Sequence, residues 1–360
     1  MSRLRSLPVP LPVLLALGGV VIGLIPSAGI GKRIVSPELI LYGFVPVLVF
    51  EGSLGIDLRT LANVARPVAT LATVGVVLTV TLVAVVGHFV LGLDWPSGLV
   101  LGAVLAATDP IAVISLLRQV RAPARLVTLL EGESLFNDGT GIAVFAAVLG
   151  TILTGHPDIR DFVVRLLFLS VGGAITGIGV GVIGAEVLRR IGPAAMQEAV
   201  MLVIAYGAYL LADRVGFSGV VAVVVAGLVV PAVYSPPRRF WTILGFVLNA
   251  ILFVLVGLAV PTRAVFSLLP LVVLAYLILL SVRAVPVYLL LAPEPVPWRW
   301  RHLVFWSGLR GALGVALALS VIGARGVDGR VAPLAYGAIL LTLFVQGGLL
   351  GPFAKGLRVT

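Results

Sequence analysis

Long apolar runs, each close to the length of a membrane span, constrain this chain more than any other feature. A helix needs roughly 20 apolar residues to cross the hydrocarbon core of a bilayer. Twelve candidate runs, separated by short loops, cover approximately residues 8–25, 37–55, 67–92, 98–117, 124–154, 162–188, 196–213, 217–232, 240–260, 264–291, 300–323 and 331–354. Because the runs are continuous and do not alternate with polar residues, they predict helices and not the strands of a membrane barrel. We therefore predict an all-α polytopic membrane protein with about twelve transmembrane helices.

The composition excludes several other classes of protein. Only 11% of the residues are charged and 60% are hydrophobic, whereas a soluble domain has about 25% charged residues. An ordinary soluble enzyme, a coiled coil and a disordered chain are therefore excluded. The chain has no Cys and three His, which leaves no thiolate chemistry and little material for a zinc site. We expect no cofactor.

The net charge of +10 is interpreted as topology and not as a nucleic-acid surface. An even number of spans places both termini on the same side, and the loops on that side carry more Lys and Arg than the opposite loops. The positive-inside rule then predicts cytoplasmic termini in a multi-pass protein of the cell membrane.

Ionisable residues inside the predicted spans are the first candidates for function, because such groups are costly in a bilayer. The intramembrane candidates are Glu51, Asp109, Glu133, Asp138, Arg283 and Arg310. At about 1.5 Å per residue, Glu51, Asp109, Asp138 and Arg310 each lie roughly 15 to 21 Å into their spans. These four side chains thus converge near the middle of the membrane, on different helices.

The helix that carries Asp109 is predicted to break at mid-membrane. Pro110 follows Asp109 directly, lacks an N–H and would clash with the carbonyl of Ala106. A simple proline kink is the alternative interpretation. A carboxylate beside the break favours function, because transporters coordinate ions at broken helices.

The next span offers a set of oxygen ligands. Ser134 and Asp138 are four residues apart and share one helix face, with Asn137 beside them. Hard cations prefer oxygen ligands. A carboxylate that binds either a cation or a proton provides the minimal chemistry of cation/proton exchange.

The remaining intramembrane charges belong to Glu133, Arg283 and Glu51. We predict a structural ion pair between Glu133 and Arg310, because a buried arginine needs a partner. The sequence assigns no acidic partner to Arg283. Two interpretations of Glu51 stay open: it contributes to the ion site or its entrance, or it faces water.

The motifs around these residues resemble those of a known family. They are Thr108-Asp109-Pro110, Glu133-Ser134-Leu135-Phe136-Asn137-Asp138, Phe50-Glu51-Gly52, Trp306-Ser307-Gly308-Leu309-Arg310-Gly311 and Gln346-Gly347. In this order and over essentially the whole chain, they resemble the NhaP-type sodium/proton antiporters of the monovalent cation:proton antiporter superfamily.

The resemblance implies a fold with inverted repeats and two crossing broken helices, here the spans that contain Asp109 and Arg310. It implies a single transmembrane unit over 1–360 without a soluble domain. Core helices at approximately 67–154 and 264–354 would move against dimerisation helices at approximately 8–55 and 162–260. The resemblance also implies a homodimer that transports by elevator-like alternating access. The family's usual first span and long cytoplasmic C-terminal region are expected to be absent.

The resemblance also implies the site. Asp138 would carry the ion and the proton; Asp109, Ser134 and Thr108 would add ligands for Na⁺, with Glu51 nearby. Asn137 resembles the electroneutral branch, so one Na⁺ or Li⁺ would exchange for one H⁺.

Three alternatives stay open beside Na⁺/H⁺ exchange. K⁺/H⁺ exchange would use the same mechanism, because oxygen ligands alone do not set size selectivity. A cation channel would place its acids in a ring around a symmetric pore. An intramembrane enzyme would need a nucleophile with its base or a metal cluster. The last two fit the sequence poorly, and we expect a transporter and not an enzyme.

Overall fold

A computed structural model describes residues 11–24, 35–109, 111–120, 122–154, 159–235, 237–259 and 261–357, and this part of the chain is helical without strands. The helices are α1 Leu11–Gly23, α2 Leu39–Gly55, α3 Ala65–Leu91, α4a Trp95–Val104, α4b Ile111–Gln119, α5 Ala124–Thr154, α6 Ile159–Arg190, α7 Ala194–Val215, α8 Gly219–Val233, α9 Arg239–Leu258, α10 Leu269–Leu290, α11a Trp298–Trp306, α11b Ala312–Ser320 and α12 Val331–Ala354. Short helices at Leu58–Ala62 and Thr262–Ser267 lie in the connections.

Each predicted span corresponds to one helix or to one broken pair of helices, so the prediction of an all-α polytopic membrane protein is confirmed. Within the described ranges, seven helices are long and apolar enough to cross a membrane: α3, α5, α6, α7, α9, α10 and α12. Helices α1, α2 and α8 are apolar but shorter.

The spans predicted at 98–117 and 300–323, called α4 and α11, are each broken into two short helices. Helix α4a ends at Val104 and α4b begins at Ile111, whereas α11a ends at Trp306 and α11b begins at Ala312. The two breaks touch, because the backbone N–H of Asp109 donates to the carbonyl of Leu309 at 2.8 Å. The contact between the two broken helices that the resemblance implies is therefore present.

The helices that carry the crossing pack on each other. Helix α3 packs on α4a and α10, and α12 packs on α10, α11b and α4a. Separately, α1 packs on α9, and α8 packs on α2, α6 and α7. The division into a moving core and a dimerisation domain stays a prediction.

Glycines allow α6 to approach α8 closely. Gly173, Gly177 and Gly181 recur every fourth residue, so they share one face of α6. A Cβ at Gly173 would lie 2.6 Å from the carbonyl oxygen of Ser218, and one at Gly181 would lie 2.9 Å from Cβ of Val229. Small residues at this spacing bring membrane helices into backbone contact. Helix α8 is thereby held beside α5, the helix that carries Asp138.

Candidate functional site

A cavity of about 540 Å³ lies beside the crossing of the two broken helices. Elements α2, α4, α5, α9 and α11 all contribute to its wall. Five residues predicted from the sequence line it together: Glu51, Thr108, Asp109, Ser134 and Asp138. Residues far apart in the chain thus face one space, as a shared binding site requires.

Asn137, predicted as a sixth residue of the site, has a different place. Its Nδ2 donates to Thr108 Oγ1 at 2.7 Å, and its Oδ1 accepts from the backbone N–H of Thr108 at 3.2 Å. The side chain is buried, and it does not contribute to the cavity wall. Asn137 therefore satisfies polar groups of the broken segment and positions Thr108.

Ser134 is oriented by the same segment. Its hydroxyl donates to the carbonyl oxygen of Thr108, and its Oγ lies 3.3 Å from Thr108 Oγ1. Because the Ser134 hydrogen is directed to that carbonyl, a lone pair of Oγ is left for a ligand in the cavity.

Asp109 is held at the crossing by three features. Its N–H donates to Leu309 O, and its Oδ1 accepts from the backbone N–H of Ile111 at 3.0 Å, at the start of α4b. Gly311 lies against it: a Cβ there would be 2.5 Å from Cβ of Asp109 and 2.8 Å from its Cγ. Glycine is therefore required where α11 passes this carboxylate.

Asp138 faces the cavity from α5, one helical turn beyond Ser134. In the described part of the chain its carboxylate has neither a hydrogen bond nor an ion pair, so its oxygens are available to a ligand. Glu51 approaches the cavity from α2 and packs on Gly245 of α9, where a Cβ would lie 3.0 Å from Glu51 Cδ.

The structure corrects the predicted Glu133–Arg310 ion pair. Glu133 forms its salt bridge with Arg283 of α10, at 2.5 Å, and both side chains are buried. Arg310 instead donates from Nη1 to the carbonyl oxygens of Ala106 and Ala107, at 2.5 and 3.0 Å. The break of α4 leaves these carbonyls without helical partners, and the guanidinium satisfies them. Arg310 thus donates to backbone oxygens, and Glu133 forms its ion pair with Arg283.

Sequence reasoning also missed two charged residues at the mouth of the cavity. Arg118 of α4b and Glu131 of α5 both line it and form a salt bridge of 2.6 Å. A signal was present, because Glu131 lies three residues before Ser134 and seven before Asp138, which is the spacing of one helix face.

Comparison with known proteins agrees with this geometry. A family model described as the transmembrane sodium/hydrogen exchanger matches residues 1–356. The chain belongs to the sodium/hydrogen exchanger family. This is a family of transporters and not of enzymes, and the resemblance to NhaP-type antiporters is confirmed.

Two curated relatives illustrate the similarity to this family. The Na⁺/H⁺ antiporter ApNhaP of Aphanothece halophytica is 35% identical over 333 residues, which cover 87% of this chain and 63% of that protein. The Na⁺/H⁺ antiporter NhaP of Pseudomonas aeruginosa is 31% identical over 353 residues, which cover 90% of this chain and 82% of that protein. The chain therefore spans less than two thirds of the length of ApNhaP.

The fold is also found in a solved structure. The sodium proton antiporter MjNhaP1 from Methanocaldococcus jannaschii, at pH 8, superposes with a TM-score of 0.79 and 22% identity over 96% of this chain and 92% of that chain. This likeness supports the exchanger fold of a multi-pass membrane protein.

Proposed function

We propose that this protein exchanges Na⁺ or Li⁺ for H⁺ across the membrane, with both ions competing for Asp138. The observation that carries the proposal is the cavity at the helix crossing, where Asp138, Asp109, Ser134 and Thr108 meet. The substrate comes from the relatives, two of which are named Na⁺/H⁺ antiporters. K⁺/H⁺ exchange by the same residues is the alternative.

The site would bind a cation through oxygen atoms alone. Asp138 and Asp109 supply carboxylates, Ser134 supplies a hydroxyl oxygen, and Thr108 supplies oxygen from the unwound segment. Small hard cations favour such ligands. When the cation leaves, Asp138 takes a proton in its place. Because one carboxylate exchanges one positive charge for another, the proposed stoichiometry is one to one and electroneutral.

Alternating access would be provided by movement of α3–α5 with α10–α12 as one body. Three charged contacts join these two groups of helices at different levels. Glu133 pairs with Arg283, Arg66 pairs with Glu294 at 3.0 Å, and Arg330 donates to the carbonyl of Gly92 at 3.0 Å. Because these contacts hold the two groups of helices together, they favour an elevator-like motion in which both groups move as one body.

The other helices, α1, α2 and α6–α9, would form the static scaffold and the interface of a homodimer. Exposed apolar side chains along α6 fit contact with lipid or with a second copy. We also propose a location in the cell membrane, with both termini in the cytoplasm, on the basis of the positive-inside rule.

The function is tested by proton flux in proteoliposomes. Purified protein is reconstituted with a pH dye inside, and pulses of Na⁺, Li⁺ and K⁺ are applied. We expect Na⁺ and Li⁺ to move protons, with no change when the membrane potential is clamped. Proton movement with K⁺ alone would show that the substrate is K⁺ and not Na⁺ or Li⁺. A proton flux that depends on the membrane potential would contradict electroneutral exchange.

The site is tested in the same assay by Asp138→Asn. The variant should fold and should move no protons in response to any cation. Asp161→Asn, at the exposed start of α6, is the matched control and should behave as the wild type. Retained sodium-driven flux in Asp138→Asn would contradict the assignment of the ion site.

A further inference from the structure

The mouth of the cavity carries a salt bridge that the exchange chemistry described above does not use. Arg118 and Glu131 contact at 2.6 Å, with 63% of the arginine side chain and 15% of the glutamate side chain exposed. The pair therefore lies at the boundary between water and the cavity. Arg238, also exposed, lines the same mouth.

The positions of these residues connect the mouth to the ion site. Glu131, Ser134 and Asp138 lie at i, i+3 and i+7, so they form one stripe of oxygen atoms along α5. Glu131 is two turns, or about 10 Å, from Asp138. Arg118 lies on α4b, whose first turn is held by Asp109. Glu131 is thus on the helix that carries Asp138, and Arg118 is on the helix that begins two residues after Asp109.

A guanidinium at this place has the charge of the transported ion. While Arg118 contacts Glu131, it neutralises a carboxylate at the mouth of the cavity. It also places a positive charge on the path to Asp138. A cation that approaches along the stripe competes with Arg118 for Glu131.

We infer that Arg118 is a tethered competitor of the transported cation and that the Arg118–Glu131 pair sets the apparent affinity of the exchanger for monovalent cations. This inference rests on the proposed function, because it assigns a regulatory pair to the same cavity. Arg118 and Glu131 tune access and do not ligate the ion at Asp138.

The inference predicts opposite effects for the two members of the pair. Arg118→Gln leaves the Glu131 charge unopposed, so the KM for Na⁺ falls. Glu131→Gln leaves the Arg118 charge unopposed, so the KM rises. For unit charges about 10 Å apart, at an effective dielectric between that of water and about 20, each change is roughly 2- to 17-fold. The double variant restores the net charge and has a KM between those of the single variants.

The test is ²²Na⁺ uptake into proteoliposomes, driven by an outward proton gradient, at low ionic strength. KM and maximal rate are measured for the wild type, the two single variants and the double variant. The shifts in KM should shrink when N-methyl-D-glucamine chloride is added at high concentration, because salt screens charges near water. Arg118→Lys retains the charge and should keep a KM close to that of the wild type.

The matched control is the exposed pair Arg190–Glu186, at 2.8 Å, which does not line the cavity. Arg190→Gln and Glu186→Gln should leave the KM unchanged. If Arg118→Gln and Glu131→Gln shift the KM in the same direction, or no more than the control variants do, the pair is an ordinary surface salt bridge and the inference is wrong.

The failure of this inference is distinguishable from failure of the proposed function. Sodium uptake by the wild type together with unchanged KM values in the variants overturns the inference alone. If the wild type takes up no sodium, the proposed exchange falls, and the inference falls with it.

Discussion

Replacement of Gly311 by alanine perturbs the crossing of the broken helices at one defined contact. The added Cβ would lie 2.5 Å from Cβ and 2.8 Å from Cγ of Asp109, and closer still to Oδ2. Rotation of the Asp109 side chain cannot relieve the contact with its Cβ, because that atom is fixed by the backbone. The segment around Asp109 must therefore move away from α11.

The magnitude follows from the contacts that this movement disturbs. Extra atoms in a close-packed interior cost about 1–3 kcal/mol. The hydrogen bond from the Ile111 N–H to the Asp109 carboxylate, at 3.0 Å, contributes about 1.5–3 kcal/mol, as is usual for a charged acceptor. If about 1.4–2.8 kcal/mol of this combined cost is lost from the free energy of cation binding, the apparent affinity for the cation falls about 10- to 100-fold.

The assay is the dependence of proton flux on Na⁺ concentration in proteoliposomes, with thermal unfolding in detergent as a measure of folding. Gly207→Ala in α7 is the matched control, because a Cβ there meets no atom within 4 Å. We expect Gly311→Ala to fold with a lower melting temperature and a much higher KM. An unchanged KM in folded Gly311→Ala would refute the role of Asp109 as a cation ligand.

Two further predictions concern charges outside the ion site. Glu133→Gln or Arg283→Gln should each destabilise the fold by about 3–5 kcal/mol, because each leaves a buried charge without its partner. The double variant Glu133→Gln/Arg283→Met should lose less stability than either single variant. Equal melting temperatures for all three variants would contradict a buried ion pair. In the loop before α12, hydrogen bonds from Arg330 hold the pKa of the Asp328 carboxyl below its usual range. A carboxyl with a lower pKa in the folded state stabilises the fold above its unfolded pKa and loses this contribution as the pH falls through its folded pKa. The melting-temperature deficit of Asp328→Asn should therefore be present at neutral pH and shrink below about pH 4, and a deficit independent of pH would contradict it.

Much of the fold could be predicted because the bilayer imposes a strong pattern on the sequence. In the described part of the chain, the apolar runs located each long helix or broken pair of helices to within about five residues. The break in α4 was predicted from Pro110, because proline removes a helical hydrogen bond. The break in α11 was less evident, since its only local signals are glycines such as Gly308 and Gly311.

The choice of partners could not be predicted in the same way. Glu133 was expected to pair with Arg310, but it pairs with Arg283. A sequence shows which charges need partners but not which helix faces which. The need of the Ala106 and Ala107 carbonyls for a donor became visible only when the two breaks were seen to cross.

The sequence indicated which residues line the cavity better than it indicated what each side chain contacts. Five of the six proposed residues line one cavity, whereas Asn137 binds Thr108. The spacing of Asn137 and Asp138 places them side by side on α5, and only the position of α4 decides which of them faces the cavity.

Competition between one cation and one proton at Asp138 is tested most directly by the KM for Na⁺ as a function of pH. Initial rates of ²²Na⁺ uptake are measured over a range of Na⁺ concentrations at several pH values. If both ions share Asp138, the KM rises as the pH falls, by up to about tenfold per unit for one competing proton, while the maximal rate stays constant. If instead the maximal rate decreases as the pH is lowered while the KM stays constant, the proton and the cation bind at different sites.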